Sequence, residues 1–247
     1  MLRKYYSQAG QDQWVVRDVF NFKTNGYFVD IGAFDGINLS NTYWLEKYLG
    51  WRGICVEADP KTFTLLRKNR HCECLKACVG LPSTQINFIS GVGPYSGASE
   101  TSLREEQAKI SGGENIILPT ASLQEILKSF NAPDVIDYLS IDVEGMEEQV
   151  MSGFPFHDVR FLCATIERPN KAVRMIMQEQ GYLLVVDQPG LDAFYIHPQV
   201  QGGYLDRILR HSEHVLNLHL GKRIVSGTVH AFEHIYRHGL RSALRRI

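Results

Sequence analysis

The sequence predicts an α/β fold: a doubly wound, mostly parallel sheet with an antiparallel hairpin at one edge and a helical C-terminal tail. Three observations predict it. Phe28, Val29 and Ile31 form a short apolar run of the kind that fits a strand buried on both faces, and they lead into the turn Gly32-Ala33-Phe34-Asp35-Gly36. A second such run, Trp51 to Val56, closes on Glu57 and is stopped by Pro60. Two later runs, Ile136–Ile141 and Phe161–Ile166, end in Asp142 and Glu167, with helical spacing between the runs. Acids thus recur at the carboxyl ends of buried strands, where open α/β sheets bind ligands.

Asp30 interrupts the first run. A carboxylate is costly to bury without partners, so its position predicts a bond to the turn or to a cationic ligand. Gly32 and Gly36 allow tight backbone and close approach of that ligand. Their spacing reads Gly-x-x-x-Gly, whereas a dinucleotide site needs Gly-x-Gly-x-x-Gly, so a diphosphate cradle is lacking. Glu57 stands where doubly wound folds hold a ribose diol. Ribose without diphosphate suggests a nucleoside, and S-adenosylmethionine fits: ribose on Glu57, cationic amino acid and sulfonium at the acid-lined first turn. The plainer alternative is that Asp30 and Glu57 only cap turns in some other α/β domain.

Several motifs cluster. Tyr6-Ser7-Gln8 with Gln11-Asp12, Val29-Asp30-Ile31-Gly32-Ala33, Leu39-Ser40-Asn41-Thr42, Gly50-Trp51-Arg52-Gly53, Val56-Glu57 and Ile141-Asp142-Val143-Glu144-Gly145 together resemble the FkbM-type S-adenosylmethionine-dependent methyltransferases. The resemblance runs from about Tyr6 to His197. It implies a class I (Rossmann-like) methyltransferase fold and, mostly, O-methylation of sugars or other hydroxylated metabolites. The candidate cofactor contacts are Gln8, Gln11, Asp30, Gly32, Ala33, Asp35, Gly36, Ser40, Asn41, Glu57, Ala58, Val79 and Asp142.

Taken in order, Trp14, Val15, Val19 and Phe20 are spaced for a helix over residues 11–22. The amides of Gln8 and Gln11 are expected either at the cofactor mouth or simply at that helix's start. Ser40-Asn41-Thr42 opens a helix ended by Gly50. Pro60 opens another to about Asn69, with Phe63, Leu65 and Leu66 inward. Leu75–Val79 reads as a third strand, with Cys78 and Val79 near an adenine, and Ile86–Ser90 as a short one. Residues 91–113 are rich in Gly and Ser and are read as a lid over the acceptor, with Tyr95, Ser96 and Ser99 as candidate substrate contacts. A helix capped by Thr120 or Ser122 runs to Phe130. Strand 136–141, a helix over 146–151, strand 161–166, a helix over 171–180 and a hairpin of strands 182–186 and 192–196 complete the domain, 1–198.

Residues 199–247 form a separate extension with eight Lys or Arg against three acids. Its apolar residues follow helical spacing, which suits a peripheral membrane contact, a homodimer contact, or helices docked on the domain. His230, His234 and His238 share a helical face without a nearby acid or Cys, which reads as a solvated face.

A hydrophobic fraction of 44% and a charged fraction of 21% are ordinary for a globular protein. A net charge of -1 gives no overall field towards nucleic acid, and no nucleic-acid partner is expected. The five Cys form an odd set that reads as structural thiols in a reducing compartment; Cys72-x-Cys74-x-x-x-Cys78 lacks zinc spacing. No apolar segment of a secretion signal precedes Ser7, so a cytoplasmic protein is expected.

For the chemistry, Asp142 or Glu144 is expected to take the proton of the acceptor hydroxyl, with Glu167 orienting the acceptor and Glu144 and Glu167 touching it. The same three carboxylates could hold a divalent metal, a variant not favoured over metal-free action. The rival from another class is a non-catalytic, methyltransferase-like binding protein that recruits partners through its basic tail.

Overall fold

The structure, a computed structural model, describes residues 5–98 and 112–200. The expected tail, with its three His, and Ser99 lie outside the described residues.

Seven strands form the central sheet: β1 (Tyr27–Ile31), β2 (Arg52–Glu57), β3 (Glu73–Lys76), β8 (Val135–Ile141), β9 (Arg160–Glu167), β10 (Leu183–Asp187) and β11 (Asp192–Ile196). Their order is β10-β11-β9-β8-β1-β2-β3. All pairings among β3, β2, β1, β8 and β9 are parallel, and β11 runs antiparallel between β9 and β10. The chain winds outward from β1 to β3, then returns to β8 on the other side of β1. That reversal opens a crevice at the strands' carboxyl ends, the general ligand position in such sheets.

Side chains alternate across the sheet as a pleated strand requires. Val29 and Ile31, with Ile54, Val56, Leu139 and Ile141, pack on one face with Leu123, Val150, Val173 and Met177. These last come from α4 (Leu123–Ser129), α5 (Glu147–Met151) and α6 (Lys171–Glu179). Phe28, Cys55, Tyr138 and Cys163 face the other layer with Trp14, Val15, Trp44, Leu45 and Leu66. Asp30 shares the parity of Phe28, and Glu57 that of Cys55, its neighbour in register across β1 and β2. Both acids therefore lie on one side of the sheet.

The N-terminal helix is shorter and wider than expected. An α-helical turn, α1 (Gln11–Gln13), passes into π-helical turns over Trp14–Val19. The inward set was correctly placed: Trp14, Val15, Val19 and Phe20 are all buried. α2 (Tyr43–Leu49) ends on Gly50 at φ 66°, as its position predicts. α3 (Pro60–Asn69) is capped by Asp59, whose side chain accepts from Lys61 N–H. Leu65, expected inward, is 47% exposed, because the buried stripe passes through Thr62 and Leu66 instead. A complete capping box of Ser122 and Glu125 starts α4, so Ser122 and not Thr120 is its cap.

The expected strand over residues 75–79 is two strands. β3 ends at Lys76, and β4 (Cys78–Val79) turns into a second sheet of order β4-β7-β5-β6. Its other members are β5 (Gln85–Ser90), β6 (Gly97–Ala98) and β7 (Glu114–Ala121), the last not foreseen. This small sheet grows out of the chain between β3 and α4, and Cys78, Ala98 and Met146 pack together beneath it. Among the described residues no helix is long and apolar enough to cross a membrane.

Candidate active site

The cleft at the reversal point is lined from β1 and its loop by Asp30, Gly32, Ala33, Phe34, Asn38, Leu39, Ser40 and Asn41. From β2 come Val56, Glu57 and Ala58; from β4, Cys78 and Val79; from the small sheet, Phe88 and Ser96; and after β8, Asp142, Val143, Glu144 and Met146.

Gly32 permits this convergence. Its amide donates to Val56 O at 2.9 Å, and Asp142 N–H donates to Ile31 O at 2.9 Å, so the loop is pressed between β2 and β8. At φ 86°, a Cβ on Gly32 would overlap the carbonyl oxygen of Asp142. Only glycine fits there.

Asp30 is 3% exposed and receives the Thr42 hydroxyl at 2.6 Å. Burial raises its pKa, while Thr42, Arg70 and Ser140 pull it back down. Glu57 accepts from Phe34 N–H at 2.9 Å and from Asp59 N–H at 2.7 Å, one on each oxygen. Burial nonetheless pushes its pKa up to about 7 against those two donors. Each Glu57 oxygen keeps a further lone pair that a diol could use.

A second group of acids stands at the same cleft. One oxygen each of Asp142, Glu144 and Glu167 lie within 4.8 Å of one another, a spacing that could hold a metal ion. Arg168 Nη2 already bridges two of them, donating to Glu144 at 2.7 Å and to Glu167 at 2.8 Å. Glu167 Oε2 is buried and has no N–H or hydroxyl donor. Burial, then the Glu167 charge and a side-chain hydrogen bond with Glu167, push the pKa of Asp142 up to about 10, with Glu144 and Asp192 adding to the effect. Asp142 is therefore the acid of this group disposed to hold a proton at neutral pH. Glu144 (φ 55°) and Arg168 (φ 39°) both sit in the left-handed region, so the ion pair joins two strained backbone positions.

Several predicted contacts stand elsewhere. Gln11 is buried beside the second acid group, but its amide is spent: Nε2 donates to Asp192 at 2.8 Å and Oε1 accepts from Ala9 N–H at 2.8 Å. Gln8 is exposed and does not line the cleft. The motif around them builds a support: Asp12, fully buried, accepts from Tyr6 N–H at 2.7 Å and the Ser7 hydroxyl at 2.5 Å, and Ser7 bridges to Leu39 on the cleft loop. Asp35 also turns inward, closing its own loop by accepting from Ile37 N–H, Asn38 N–H and Asn38 Nδ2 at 2.6–2.9 Å. Gly36 lies outside the cleft because it packs on α3, where a Cβ would press on Leu66 and Arg70 at 2.7 Å. Glu167 does not itself line the cleft; it stands behind Asp142.

The expected lid is tied down at its first half. Ser96 lines the cleft, yet its hydroxyl donates to Asp59 at 2.8 Å, and Asp59 also accepts from Gly91 N–H at 2.7 Å and the Ser90 hydroxyl at 3.2 Å. Ser96 is therefore an anchor and not a free substrate contact. Tyr95 belongs to a 3-10 turn, Gly93–Tyr95. All five Cys are free, as the sequence suggests.

The family model for the methyltransferase FkbM domain matches residues 30–184. No curated protein matches the sequence. Among solved structures the chain is similar to the METTL16 MTase domain, at 14% identity over 75% of this chain and 65% of that one, with a TM-score of 0.43. It is also similar to a TehB-like SAM-dependent methyltransferase from Corynebacterium glutamicum, at 10% identity over 79% of this chain and 90% of that one (TM-score 0.42). A third is the N-terminal domain of human METTL16 in complex with SAH, at 14% identity, with 75% and 65% covered (TM-score 0.38). The chain spans about 65% of the length of these METTL16 structures.

Proposed function

Because the chain belongs to the methyltransferase FkbM domain family, we propose that it transfers the methyl group of S-adenosylmethionine to a hydroxyl of a sugar, glycan or related hydroxylated metabolite. Its sheet, with one reversed strand inside the edge, has the class I methyltransferase arrangement expected from the sequence. One observation carries the reading. Asp30 and Glu57 line the same crevice at the strand reversal as Asp142 and Glu144, with Glu167 close to the latter two. A donor with a ribose and a cationic sulfonium complements these acids.

In this reading Glu57 accepts the ribose hydroxyls, Asp30 faces the cationic amino-acid end, and Val79 and Cys78 pack on the base. Methyl transfer is an in-line displacement, so the chain's main task is to hold the acceptor oxygen about 3–3.5 Å from the methyl carbon. Glu144 lines the cleft and is held in place by Arg168. It is the carboxylate we assign to receive the hydroxyl proton. Asp142 is disposed to hold a proton, so its part is to accept or return hydrogen bonds with Glu167 and not to act as first base. The Arg168 guanidinium supplies a cation where a metal would sit, which favours metal-free action. Should a divalent ion bind there, Asp142, Glu144 and Glu167 are its ligands and it would polarise the acceptor oxygen.

The test is mass spectrometry of methyl transfer from isotopically labelled donor onto sugars, nucleotide sugars and glycans. Glu144→Gln should cut turnover by about 100-fold or more, the usual size of a lost general base, with donor affinity kept. Calorimetry with S-adenosylmethionine separates an enzyme from a recruiting scaffold: absence of binding heat ends the proposal. Activity that survives chelation excludes the metal variant.

A further inference from the structure

Arg70 is the C-cap of α3, and its side chain is fully buried beneath the cleft loop. Each guanidinium nitrogen has its own partner. Nε donates to Glu46, Nη1 to Gly36 O at 3.3 Å and Ser40 Oγ at 3.4 Å, and Nη2 to Thr42 Oγ1 at 3.0 Å. The Phe28 and Tyr43 rings cover it at 5.4 and 5.9 Å. Lysine has no planar fork and could not serve these positions together.

The order of hydrogens follows from counting them. A threonine hydroxyl has one hydrogen to give. Thr42 Oγ1 already accepts from Arg70, so its hydrogen points to Asp30 Oδ2, 2.6 Å away. Ser140 also bonds Asp30 and receives Asn41 Nδ2 at 2.9 Å, so its hydrogen too is directed at the acid. Two hydroxyls thus converge on one carboxylate.

We propose that Arg70 is a positioning residue for the cleft: it fixes the loop of residues 36–42 and, through Thr42, orients the hydrogen bond that Asp30 receives. This rests on reading the cleft as the donor site. The groups around Asp30 are Thr42 and Glu46-paired Arg70 from the α2 and α3 side, the Cys55 thiol beside it on β2, and Tyr138 and Ser140 from β8. Tyr138, fully buried, is raised well above its usual range and stays neutral.

The experiment is calorimetry of S-adenosylhomocysteine binding to wild type, Thr42→Val, Thr42→Ser, Arg70→Lys and Asp30→Asn between pH 7 and 9. Thr42→Val keeps the shape of threonine and lacks the hydroxyl. It should bind about tenfold more weakly than wild type at pH 7, the effect of losing one hydrogen bond to a charge. The gap should narrow as pH rises, because the lost Thr42 hydroxyl is one of the groups that lower the Asp30 pKa. Thr42→Ser should restore binding, and adding Thr42→Val to Asp30→Asn should have no further effect. A gap that persists undiminished in the Asp30→Asn background, or no gap, overturns the proposal. If Arg70→Lys does not fold, Thr42→Val still decides it. Absence of binding by the wild type would instead overturn the donor-site reading itself.

Discussion

Replacing Asp142 by Asn should make the ligand-free protein more stable while damaging its site. The Asp142 carboxyl starts from an ordinary value of 3.8 and is pushed up to about 10 by burial and by Glu167. Its folded pKa is raised, so the folded state keeps its full advantage only below the unfolded value and loses it as pH rises towards the folded one. Each pH unit above the unfolded pKa costs up to about 1.4 kcal/mol. At pH 7 the penalty is on the order of a few kcal/mol. Asn is neutral at every pH, and its Nδ2 can donate to the otherwise undonated Glu167 Oε2. At about 2–4 °C per kcal/mol for a domain of this size, Asp142→Asn should melt about 5–15 °C above wild type at pH 7. The difference should shrink towards zero near pH 4 and widen towards pH 9. Thermal melts by circular dichroism at three pH values measure it. A variant that melts below wild type, or a difference independent of pH, would refute the raised pKa of Asp142.

Glu57, raised to about 7 by burial, takes up a proton below that pH and loses an acceptor oxygen. Affinity for S-adenosylhomocysteine should therefore fall below pH 7, approaching tenfold per unit, and Glu57→Gln should abolish that slope; equal slopes in the two proteins would contradict it. Gly32→Ala should fail to fold or melt far below wild type, because the Asp142 carbonyl it strikes is backbone. Gly145→Ala, with nothing within 4 Å of the added carbon, should lose only the left-handed penalty of about 1–2 kcal/mol, and a similar loss in both would show that sterics do not set the Gly32 position. Arg168→Gln should lower turnover while raising the preference for S-adenosylmethionine over S-adenosylhomocysteine several-fold, since the sulfonium replaces a lost cation; calorimetry with both ligands reads that ratio. Binding of S-adenosylmethionine should release a proton from the raised Asp142 carboxyl, seen as a binding enthalpy that changes with the buffer's ionisation enthalpy, and no such change would count against its protonation.

Local patterns carried the sheet. Runs such as Phe28–Ile31 and Ile136–Ile141 reveal themselves because both faces are buried, and the acids that end them mark the crevice. β7 escaped detection because Glu114, Asn115, Ile117 and Pro119 leave it largely exposed, with Ile117 at 65%. Asp35 looks like a site acid in sequence, yet an aspartate beside glycine and asparagine can satisfy itself on its own loop, and it does. The role of Gln11 depends on Asp192, 181 residues later, and no local spacing shows such a partner. Arg70 stands in a polar stretch, Lys68-Asn69-Arg70-His71, that reads as surface. Its burial follows only from the docking of α3 under the loop that Gly36 makes tight.

The acids of the cleft differ in where their compensation comes from. Asp30, Glu57 and Asp59 are held by backbone N–H groups and hydroxyls that are in place before anything binds. Glu144 and Glu167 are paired with Arg168, and Asp142 stands among them with its pKa raised by burial and the Glu167 charge. The donors of the first group are in place to fix the position of a ligand once Glu57 is ionised. In the second, burial and the neighbouring acids keep the Asp142 carboxyl raised, so it is the part of the site that responds to the ligand's charge. A positively charged donor would relieve it and its neutral product would not, which gives the cleft a physical reason to hold the methyl donor and let the demethylated product go.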